Sequence, residues 1–408
     1  MTARTRADWA DLAAGLNFPR DAFINGAAVP AASGERVPTL NPATGHVLTD
    51  VAECGVEDVD RAVRSARNAF ESWSTVAPAE RKQVLRRLAE LIMTNADELA
   101  LLDSLDGGKR IVDTSTIDVP GSAAILDWYA EAIDKIYGEV APTARGDLAV
   151  ISREPLGVVA AVVPWNYPLE MAIWKIAPAL ATGNCVVLKP AEESPLSALR
   201  LGQLGAEAGL PPGVLNVLPG AGPVVGRALG EHPGVDVITF TGSTPVGKLF
   251  LQYAGASTMK QVWLECGGKS ANLVFADAAD LDQVADMVCF GIFGNSGQVC
   301  SANSRLMVES KVKDELLDKV VQRASAIRPG DPLDPSTAMG PLVSERHAAR
   351  VLSFVDQGRA SAQLVLGGAV EEGAPTGTYV PPTIFDQVPW DAAIATEEIF
   401  GPVLSVFA

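Results

Sequence analysis

Hydrophobic residues follow two different patterns along the chain, and the change falls near residue 157. Before about residue 140, apolar residues recur three and four positions apart, as from Val59 to Phe70 and from Arg81 to Leu102, which predicts a mainly helical region. From residue 157 onward, helical segments alternate with continuous apolar runs at residues 157–163, 185–188, 214–218 and 235–240. Unbroken apolar runs are typical of buried parallel strands, so this part predicts a parallel α/β sheet of the dinucleotide-binding type.

A second unit is predicted beyond residue 270. Apolar residues between Leu281 and Phe293 fall on one helical face, which makes Cys289 a predicted core residue. This helix leads to the run Gly297-Gln298-Val299-Cys300-Ser301, and a strand-like run follows at residues 306–308. A thiol on a short turn between two packed elements is held rigidly and stays open on one side. Cys300 is therefore the predicted nucleophile.

Two further runs carry polar groups that could work with this thiol. Glu265 lies in the run Glu265-Cys266-Gly267-Gly268-Lys269, which offers a carboxylate beside flexible backbone and predicts a base. Asn166 lies in the run Pro164-Trp165-Asn166-Tyr167-Pro168, and its amide is a candidate oxyanion donor. A nucleophile, a base and an oxyanion donor can thus be named from the sequence.

Length and composition limit the classes of protein that this chain can be. At 408 residues, with 48% hydrophobic and 20% charged residues, we expect a folded protein of two or three domains. A formal net charge of −17 argues against binding to nucleic acid, because phosphate backbones would be repelled. Pro, Gly or charged residues interrupt every apolar stretch before it could span a membrane.

Cysteine and histidine usage indicates a compartment and argues against a metal. The N-terminal residues lack the apolar core of a signal peptide, and none of the five cysteines forms a CxxC pair. We therefore expect reduced thiols and a cytoplasmic protein. The three histidines lie far apart in sequence without ligand spacing, so no metal site is predicted.

Glycine-rich runs after two of the predicted strands are candidates for phosphate binding. Residues 241–248 follow the fourth strand and should open a helix, whose exposed amides would bind phosphate. The same run matches G-x-x-x-x-G-K, the start of a P-loop, but Leu249 stands where a P-loop needs Ser or Thr to bind Mg²⁺. A nucleoside triphosphatase is therefore only a minor alternative. Residues 220–226 fit a plain strand-to-helix turn as well as a cofactor contact.

Lys189 and Glu192 follow a predicted strand, at the carboxyl edge where α/β sheets bind ligands. The two side chains could hold the hydroxyls of an adenosine ribose, or they could form a solvated surface pair. A glutamate at this place would repel a 2′-phosphate, which favours NAD over NADP.

Six runs together resemble the aldehyde dehydrogenase superfamily, in the order that the family shows. They are PWNYPL (164–169), LKPAEESP (188–195), FTGSTPVGK (240–248), ECGGKS (265–270), GQVC (297–300) and EEIFGPV (397–403). The chain is most similar to the aminoaldehyde branch, which includes γ-glutamyl-γ-aminobutyraldehyde, guanidinobutyraldehyde and betaine aldehyde dehydrogenases, and residues 128–135 also resemble that branch.

The resemblance implies an α/β fold with a Rossmann-type cofactor domain, an α/β catalytic domain and a protruding oligomerisation hairpin. Residues 1–139 and 156–266 would form the NAD-binding domain, residues 140–155 the hairpin, and residues 267–408 the catalytic domain. The short extended runs on either side of Arg145-Gly146-Asp147 independently predict a hairpin. The family's usual assembly, a homodimer or homotetramer, would be expected if the C-terminal segment that family members have were present.

The resemblance also implies a role for each matching residue. Cys300 would attack a small-molecule aldehyde to give a thiohemiacetal, Asn166 and the Cys300 amide would stabilise its oxyanion, and hydride transfer to NAD would leave a thioester. Glu265 would then activate the water that releases the carboxylic acid, which disfavours a CoA-acylating relative. Lys269 would have a supporting place. The residues expected to contact the cofactor are Trp165, Lys189, Glu192, Gly222, Phe240, Gly242, Ser243, Cys266, Glu398 and Phe400.

Four residues are predicted to shape the substrate pocket. Tyr167 and Trp174 match aromatic positions of aminoaldehyde enzymes, and aromatic faces suit a cationic amine. Asp118 and Glu170 could add negative charge, which predicts a preference for ω-amino or guanidino aldehydes over aliphatic ones. The alternative is that Trp174 is a core residue and both acids are surface charges.

Two features depart from the family's pattern. Cys266 stands where Leu or Ala is usual, and it is either a neutral replacement or a partner for a disulfide with Cys300. The sequence ends at Leu404-Ser405-Val406-Phe407-Ala408, within what reads as a strand, whereas family members continue. We expect exposed apolar surface and a hairpin without its usual partner as a result. A truncated, non-catalytic homologue is therefore the alternative function.

Overall fold

A computed structural model of the protein describes residues 4–370 and 373–408. Its strands, in chain order, are β1 (Ala22–Ile24), β2 (Ala27–Val29), β3 (Arg36–Leu40), β4 (Val47–Ala52), β5 (Glu139–Ala141), β6 (Ala149–Ile151), β7 (Val158–Val162), β8 (Cys185–Lys189), β9 (Leu215–Val217), β10 (Val237–Gly242), β11 (Gln261–Cys266), β12 (Ala271–Val274), β13 (Arg305–Val308), β14 (Gln363–Leu366), β15 (Thr383–Asp386) and β16 (Val403–Phe407).

The helices surround these strands. In chain order they are α1 (Arg6–Ala14), α2 (Val56–Trp73), α3 (Pro78–Thr94), α4 (Ala96–Gly107), α5 (Ile111–Asp113), α6 (Val119–Ala132), α7 (Pro168–Ala181), α8 (Leu196–Ala208), α9 (Arg227–Glu231), α10 (Thr244–Ala256), α11 (Leu281–Phe293), α12 (Lys313–Ala324), α13 (Glu345–Ser361) and α14 (Ala393–Thr396). A π-helical turn, Thr114–Asp118, joins α5 to α6. No helix of the described residues is both long enough and apolar enough to cross a membrane.

The first sheet has seven strands in the order β11-β10-β7-β8-β9-β1-β2. Its five strands from β11 to β9 are parallel, and each apolar run that predicted a buried strand lies in this part. Every residue of β7 and β8 is buried, because helices cover both faces of the sheet. The carboxyl ends of the parallel strands meet at one edge, and this edge places several of the predicted site residues.

The second sheet has five strands in the order β12-β13-β16-β15-β14. It is parallel except for β14, and its core is made by α11, α12 and α13 packing on β13, β15 and β16. The first sheet ends at Cys266 and the second begins at Ala271, so a four-residue connection, residues 267–270, separates them.

The small antiparallel sheets give one agreement and one correction. β5 and β6 form the predicted hairpin, and Val140, Leu148 and Val150 on it are exposed. The prediction of a mainly helical first region missed β1 to β4, which lie between residues 22 and 52. These strands are short, and β2, β3 and β4 are largely exposed, so their hydrophobic pattern is weak.

Candidate active site

Cys300 lies just after a strained turn at the end of α11. The turn Gly294–Gly297 contains three consecutive residues with positive φ, Asn295 at 47°, Ser296 at 57° and Gly297 at 72°. A side chain at position 297 would have its Cβ 2.2 Å from the carbonyl oxygen of Gly401, so glycine is required there. Strain of this kind persists only where the surroundings enforce it. Cys300 itself is exposed.

The side chain of Asn166 is directed at this turn. It is 6% exposed, and its Nδ2 donates to the carbonyl oxygen of Gln298 over 2.8 Å. An amide nitrogen carries two hydrogens, so this bond orients the group and leaves the second hydrogen available. Asn295 Nδ2 donates in return to the backbone carbonyl of Asn166 over 3.1 Å. The segment with the amide and the segment with the thiol are therefore bonded to each other.

Glu265 reaches the same region from the end of β11. The connection that follows it passes the nucleophile turn, because a Cβ placed on Gly268 would lie 3.7 Å from the carbonyl oxygen of Cys300. Glu265 is exposed, which leaves its carboxylate accessible to water. Burial lowers the pKa of Lys175 on α7, and the charge of Glu265 partly offsets that shift, so the carboxylate also lies near the helix that follows Asn166.

Lys109, which the sequence analysis did not single out, lies beneath Asn166 and Tyr167. Its Nζ donates to the backbone carbonyl of Asn166 over 2.9 Å and lies 3.4 Å from the centre of the Tyr167 ring. Asp118, at the end of the π-helical turn, is 3.1 Å from the same Nζ, and both side chains are 2% exposed. Burial raises the pKa of Asp118, and the Lys109 charge offsets part of that rise.

At the carboxyl edge of the first sheet, the residues predicted to hold a ribose do come together. Lys189 Nζ is buried and lies 3.6 Å from a carboxylate oxygen of Glu192, while the other oxygen accepts from the backbone N–H of Gly222. Burial lowers the pKa of Lys189, and Glu192 counters the effect. The half-exposed Glu192 is thus fixed between a cation and a backbone amide, unlike a solvated surface residue.

The next strand, β10, leads into α10 through Gly242 and Ser243. Ser243 is the N-cap of α10, and its side chain makes no capping hydrogen bond, so the first-turn amides are not capped by it. Phe240 is buried and packs on Phe250 with ring centroids 5.1 Å apart, and its ring fills the space a side chain at Gly242 would need. Cys266, partly exposed, lies beside Gly247 of α10, and its thiol is free, as is that of Cys300.

The run that precedes β16 carries Glu398 and Phe400, two further residues that were predicted to contact the cofactor. Glu398 accepts from the backbone N–H of Gly268 over 3.2 Å, which brings it beside the nucleophile segment, and burial raises its pKa. Phe400 meets the edge of Trp165 with ring centroids 5.3 Å apart. His347 hydrogen-bonds the Phe400 carbonyl through Nε2 over 2.7 Å, and burial lowers its pKa to about 4, so the neutral ring donates.

Comparison with known proteins identifies the family of this chain. Residues 29–408 match the model of the aldehyde dehydrogenase family. The chain belongs to the aldehyde dehydrogenase family.

Relatives within the family are similar over nearly the whole chain. The NADP/NAD-dependent aldehyde dehydrogenase PuuC of Escherichia coli K12 is 51% identical over 98% of this chain and 81% of its own length. The aminoacetaldehyde dehydrogenase of Pseudomonas aeruginosa is 48% identical over the same shares. The structure of the P. syringae indole-3-acetaldehyde dehydrogenase AldA with NAD⁺ and IAA is 52% identical, with a TM-score of 0.98 over 99% of this chain and 82% of that one. The predicted family and α/β fold class are confirmed.

In this aldehyde dehydrogenase Trp174, a predicted substrate-pocket residue, is 52% exposed, so it is not a core residue. Together with Ala124, Ile125, Trp128 and Tyr129 it lines a cavity of about 410 Å³. Glu170 is partly buried, and burial, followed by the charge of Asp118, raises its pKa. The interpretation of Asp118 as a surface charge is wrong, since it is buried against Lys109.

Lys269 and the residues that the sequence did not indicate complete the site. Burial, and next Arg305, lowers the pKa of Lys269 to about 8, and its Nζ has no hydrogen-bond partner among the described residues. The sequence did not indicate the roles of four residues. The side chains of Lys109, Asn295 and His347 hydrogen-bond to backbone carbonyls, and the backbone carbonyl of Gln298 accepts from Asn166. Contacts to a carbonyl have no sequence signature, although Asn295 next to glycine was a usable sign of a left-handed turn.

Proposed function

We propose that the protein oxidises an aldehyde to the carboxylic acid with NAD, and that Cys300, Asn166 and Glu265 carry the reaction. The observation that supports this most is the bond from Asn166 Nδ2 to the Gln298 carbonyl, two residues from Cys300. It joins the segment of an oriented amide donor to the segment of an exposed thiol. A buried amide is thus directed at a strained, largely buried turn that ends in an exposed thiol.

In the first step the Cys300 thiolate adds to the aldehyde carbonyl, and the carbon–sulfur bond forms as the carbonyl π electrons move to oxygen. The second hydrogen of Asn166 Nδ2, with the backbone N–H of Cys300, would stabilise the oxyanion. Because Asn166 is already oriented by Gln298 and Asn295, it reorganises little when charge develops. Preorganised donors of this kind are worth about 10²–10³ in kcat.

The edge of the first sheet fits an NAD molecule. Lys189 and Glu192 would bind the adenosine ribose, with Gly222 beside them. Gly242, Ser243 and the start of α10 would bind the pyrophosphate. Thr241 Oγ1 is buried nearby without a hydrogen-bond partner among the described residues, which suits a polar ligand. When bound, NAD supplies the acceptor for the hydride of the aldehyde carbon.

Further cofactor contacts come from the remaining predicted residues. Glu398 and Phe400 would hold the nicotinamide ribose and ring, with Trp165 packed on Phe400. The side chain of Phe240 would support Gly242 from the core, and Cys266 would stand beside α10.

When the aldehyde carbon gives up its hydride, the electrons of the oxyanion re-form the carbonyl, which leaves an acyl group bound to Cys300 as a thioester. In the second step Glu265 acts as a general base. Its exposed carboxylate takes a proton from water, the water oxygen attacks the thioester carbon, and the Cys300 thiolate leaves as the carboxylic acid is released. The approach of Gly268 to the backbone of Cys300 supports this role, because Glu265 lies three residues before Gly268 in the same segment.

For the substrate we propose an aldehyde with a positively charged amine or guanidine at its far end. Trp174 lines a cavity together with Trp128 and Tyr129, and these rings offer aromatic faces to a cation, whereas Lys109 already lies over one face of Tyr167. Lys109 neutralises Asp118, so Glu170 is the acid left to meet the cation. The similarity to an aminoacetaldehyde dehydrogenase supports this class. The same aromatic lining, with the similarity to AldA, favours an indolyl aldehyde as the second candidate.

The test is NADH formation by the purified protein with aminobutyraldehyde, indole-3-acetaldehyde and hexanal. We expect the highest kcat/KM with aminobutyraldehyde and no NADH from Cys300→Ala. Equal kcat/KM for aminobutyraldehyde and hexanal would refute the substrate proposal. Failure of the unaltered protein to form NADH with any aldehyde would instead support a non-catalytic homologue.

We also infer the division into domains and an assembly role for the hairpin. The boundary near residue 266 coincides with the connection between the two sheets. The exposed apolar residues of β5 and β6 suit contact with a second copy in a homodimer or homotetramer. Light scattering of the protein, with and without Val140→Asp and Val150→Asp, tests this. The free cysteines agree with a cytoplasmic protein.

A further inference from the structure

We propose that Lys109 is a positioning residue, whose buried ammonium fixes Asn166 and Tyr167 at the reacting aldehyde. The proposal rests on the proposed function of Asn166 as the oxyanion donor. Lys109 does not touch the reacting atoms, and it acts through the backbone of the residue that does. A role for it was not indicated by the sequence, where it follows two glycines at the end of a helix.

The contacts of the ammonium group support this role. Its nitrogen lies 2.9 Å from the Asn166 carbonyl oxygen, 3.1 Å from Asp118 Oδ2 and 3.4 Å from the centre of the Tyr167 ring. The ammonium donates a hydrogen bond to the Asn166 carbonyl, forms an ion pair with Asp118 and lies over the face of the Tyr167 ring. Two of the partners are adjacent residues of the segment that carries the amide donor and the pocket wall. The ammonium charge of Lys109 therefore lies buried against the candidate active site and not at the surface.

Lys109 is itself attached to a rigid base. Its backbone carbonyl accepts from Ser104 Oγ over 2.6 Å, and Gly108 before it adopts φ 71° in a place where a side chain would meet Pro42 at 2.9 Å. The same helix end also supports the segment after Asn166, because Asp103 accepts from the backbone N–H of Leu169 at the start of α7 over 3.3 Å. The end of α4 therefore holds the loop 164–169 at two points.

Charge balance argues against a purely stabilising role. An isolated buried ammonium is costly, and Asp118 offsets that cost as the only acidic partner within 4 Å in the described part of the chain. Buried ion pairs on average add little net stability over apolar residues of the same volume. A buried pair directly beneath the oxyanion donor is better explained by the orientation that it enforces.

The expected effect follows from the sensitivity of catalysis to placement. Without Lys109, the Asn166 carbonyl loses one of its two side-chain donors, and Asn295 alone remains. A misplacement of about 1 Å can cost roughly 10²-fold in rate, so we expect Lys109→Met to lower kcat by about ten- to a hundredfold. The dissociation constant for NAD should stay unchanged, since the ribose-binding residues lie elsewhere on the sheet.

The experiment is a double-mutant cycle on kcat with Lys109→Met, Asn166→Ala and the combination. If Lys109 acts through Asn166, the combined variant loses no more than Asn166→Ala alone. If the fold-losses in kcat of the two single variants multiply in the combined variant, the proposal is overturned, because independent effects multiply in this way. The variant Lys109→Met/Asp118→Asn removes the unpaired buried acid, so it keeps the test valid if Lys109→Met folds poorly.

Lys260→Met is the matched control. Lys260 is a buried lysine whose Nζ donates to the backbone carbonyls of Gly230 over 2.7 Å and His232 over 2.9 Å, away from the site. We expect it to lower the melting temperature as Lys109→Met does, with kcat close to the unaltered protein. A kcat loss in Lys260→Met as large as in Lys109→Met would overturn the proposal.

Hydrogen–deuterium exchange gives a measurement that needs no activity. We expect faster exchange of the peptide spanning residues 164–169 in Lys109→Met and no change there in Lys260→Met. Unchanged exchange in Lys109→Met would overturn the positioning role whether or not the protein is active. An unaltered protein that makes no NADH would refute the proposed function, while faster exchange would still support the hold of Lys109 on this loop.

Discussion

The cofactor side and the catalytic side of this aldehyde dehydrogenase are held in place by different means. Lys189 and Ser243 stand at the ends of parallel strands, so the regular sheet positions them. Asn166 and Cys300 stand on irregular segments, which side chains tie together through backbone carbonyls. The first arrangement confines the effect of a substitution to its own contact. In the proposed mechanism, the second would make catalysis depend on residues that never meet the substrate.

The largest effect is expected for Cys300→Ala, which should abolish aldehyde oxidation and leave NAD binding intact. Cys300→Ala removes the nucleophile, and we expect aldehyde oxidation to fall by at least about 10⁴-fold. NAD binding, followed by quenching of tryptophan fluorescence, should be retained because the sheet edge is untouched. A matching loss of NAD affinity would show that the two sides are not independent.

Asn166→Ala tests the catalytic side alone. The loss of an oriented donor should lower kcat by about 10²–10³, with little change in KM for NAD. Steady-state rates at saturating NAD measure this. A variant with normal kcat would remove Asn166 from the proposed mechanism and leave its hydrogen bond to Gln298 without a catalytic reason.

The strained turn can be tested through Gly297→Ala. The new Cβ would meet the Gly401 carbonyl oxygen at 2.2 Å, in addition to a φ of 72°, so we expect the free energy of unfolding to fall by about 3 kcal/mol or more. Chemical denaturation measures it.

Gly34→Ala is the matched control for this prediction. Its φ is 74°, and nothing lies within 4 Å of the added Cβ. The Gly34→Ala variant therefore measures only the cost of placing an alanine at positive φ, about 1 kcal/mol. Equal losses in both variants would show that the contact with Gly401 does not constrain the turn.

On the cofactor side, Glu192→Gln should change preference and not rate. The carboxylate that would repel a 2′-phosphate is removed, so the ratio of kcat/KM for NADP to that for NAD should rise by roughly tenfold. The maximal rate with NAD should remain close to that of the unaltered protein. A large fall in that rate would place Glu192 in the catalytic step.

The smallest effect concerns pH and Lys269. Burial lowers its pKa in the folded protein from 10.5 to about 8, so between these values the unfolded chain binds more protons. Stability from this group therefore increases as pH rises from about 8 to 10.5. Chemical denaturation across this pH range should show that the free energy of unfolding of the unaltered protein rises with pH relative to that of Lys269→Met. Parallel pH dependence of the two proteins would contradict this expectation.

The strands and helices of the first sheet could be predicted because each apolar run is buried whole, as in β7 and β8. The same regularity indicated Lys189, Glu192 and Ser243, since strand ends and helix starts determine where such residues lie. The strands between residues 22 and 52 could not be predicted, because β1 and β2 have only three residues each and β3 and β4 are largely exposed, so their hydrophobic pattern is weak.

The catalytic side shows why part of the site stayed hidden. The thiol, the carboxylate and the amide were indicated by their own chemistry. Lys109 and His347 were not, since their contacts depend on which carbonyl the fold brings within 3 Å. Asp118 was indicated as a substrate contact, yet the residue that neutralises it is nine positions away and follows a glycine turn. Pairings of this kind become visible only in three dimensions.

The π-helical turn Thr114–Asp118 has a consequence for how this part of the gene can change. Such a turn holds one residue more than an α-helical turn, so it is equivalent to a single insertion within an otherwise continuous helix. Deleting one residue between positions 114 and 118 would restore α-helical phase and rotate the preceding segment against α6 by about 100°. Length variation here would then uncouple the acid from its lysine without replacing either one.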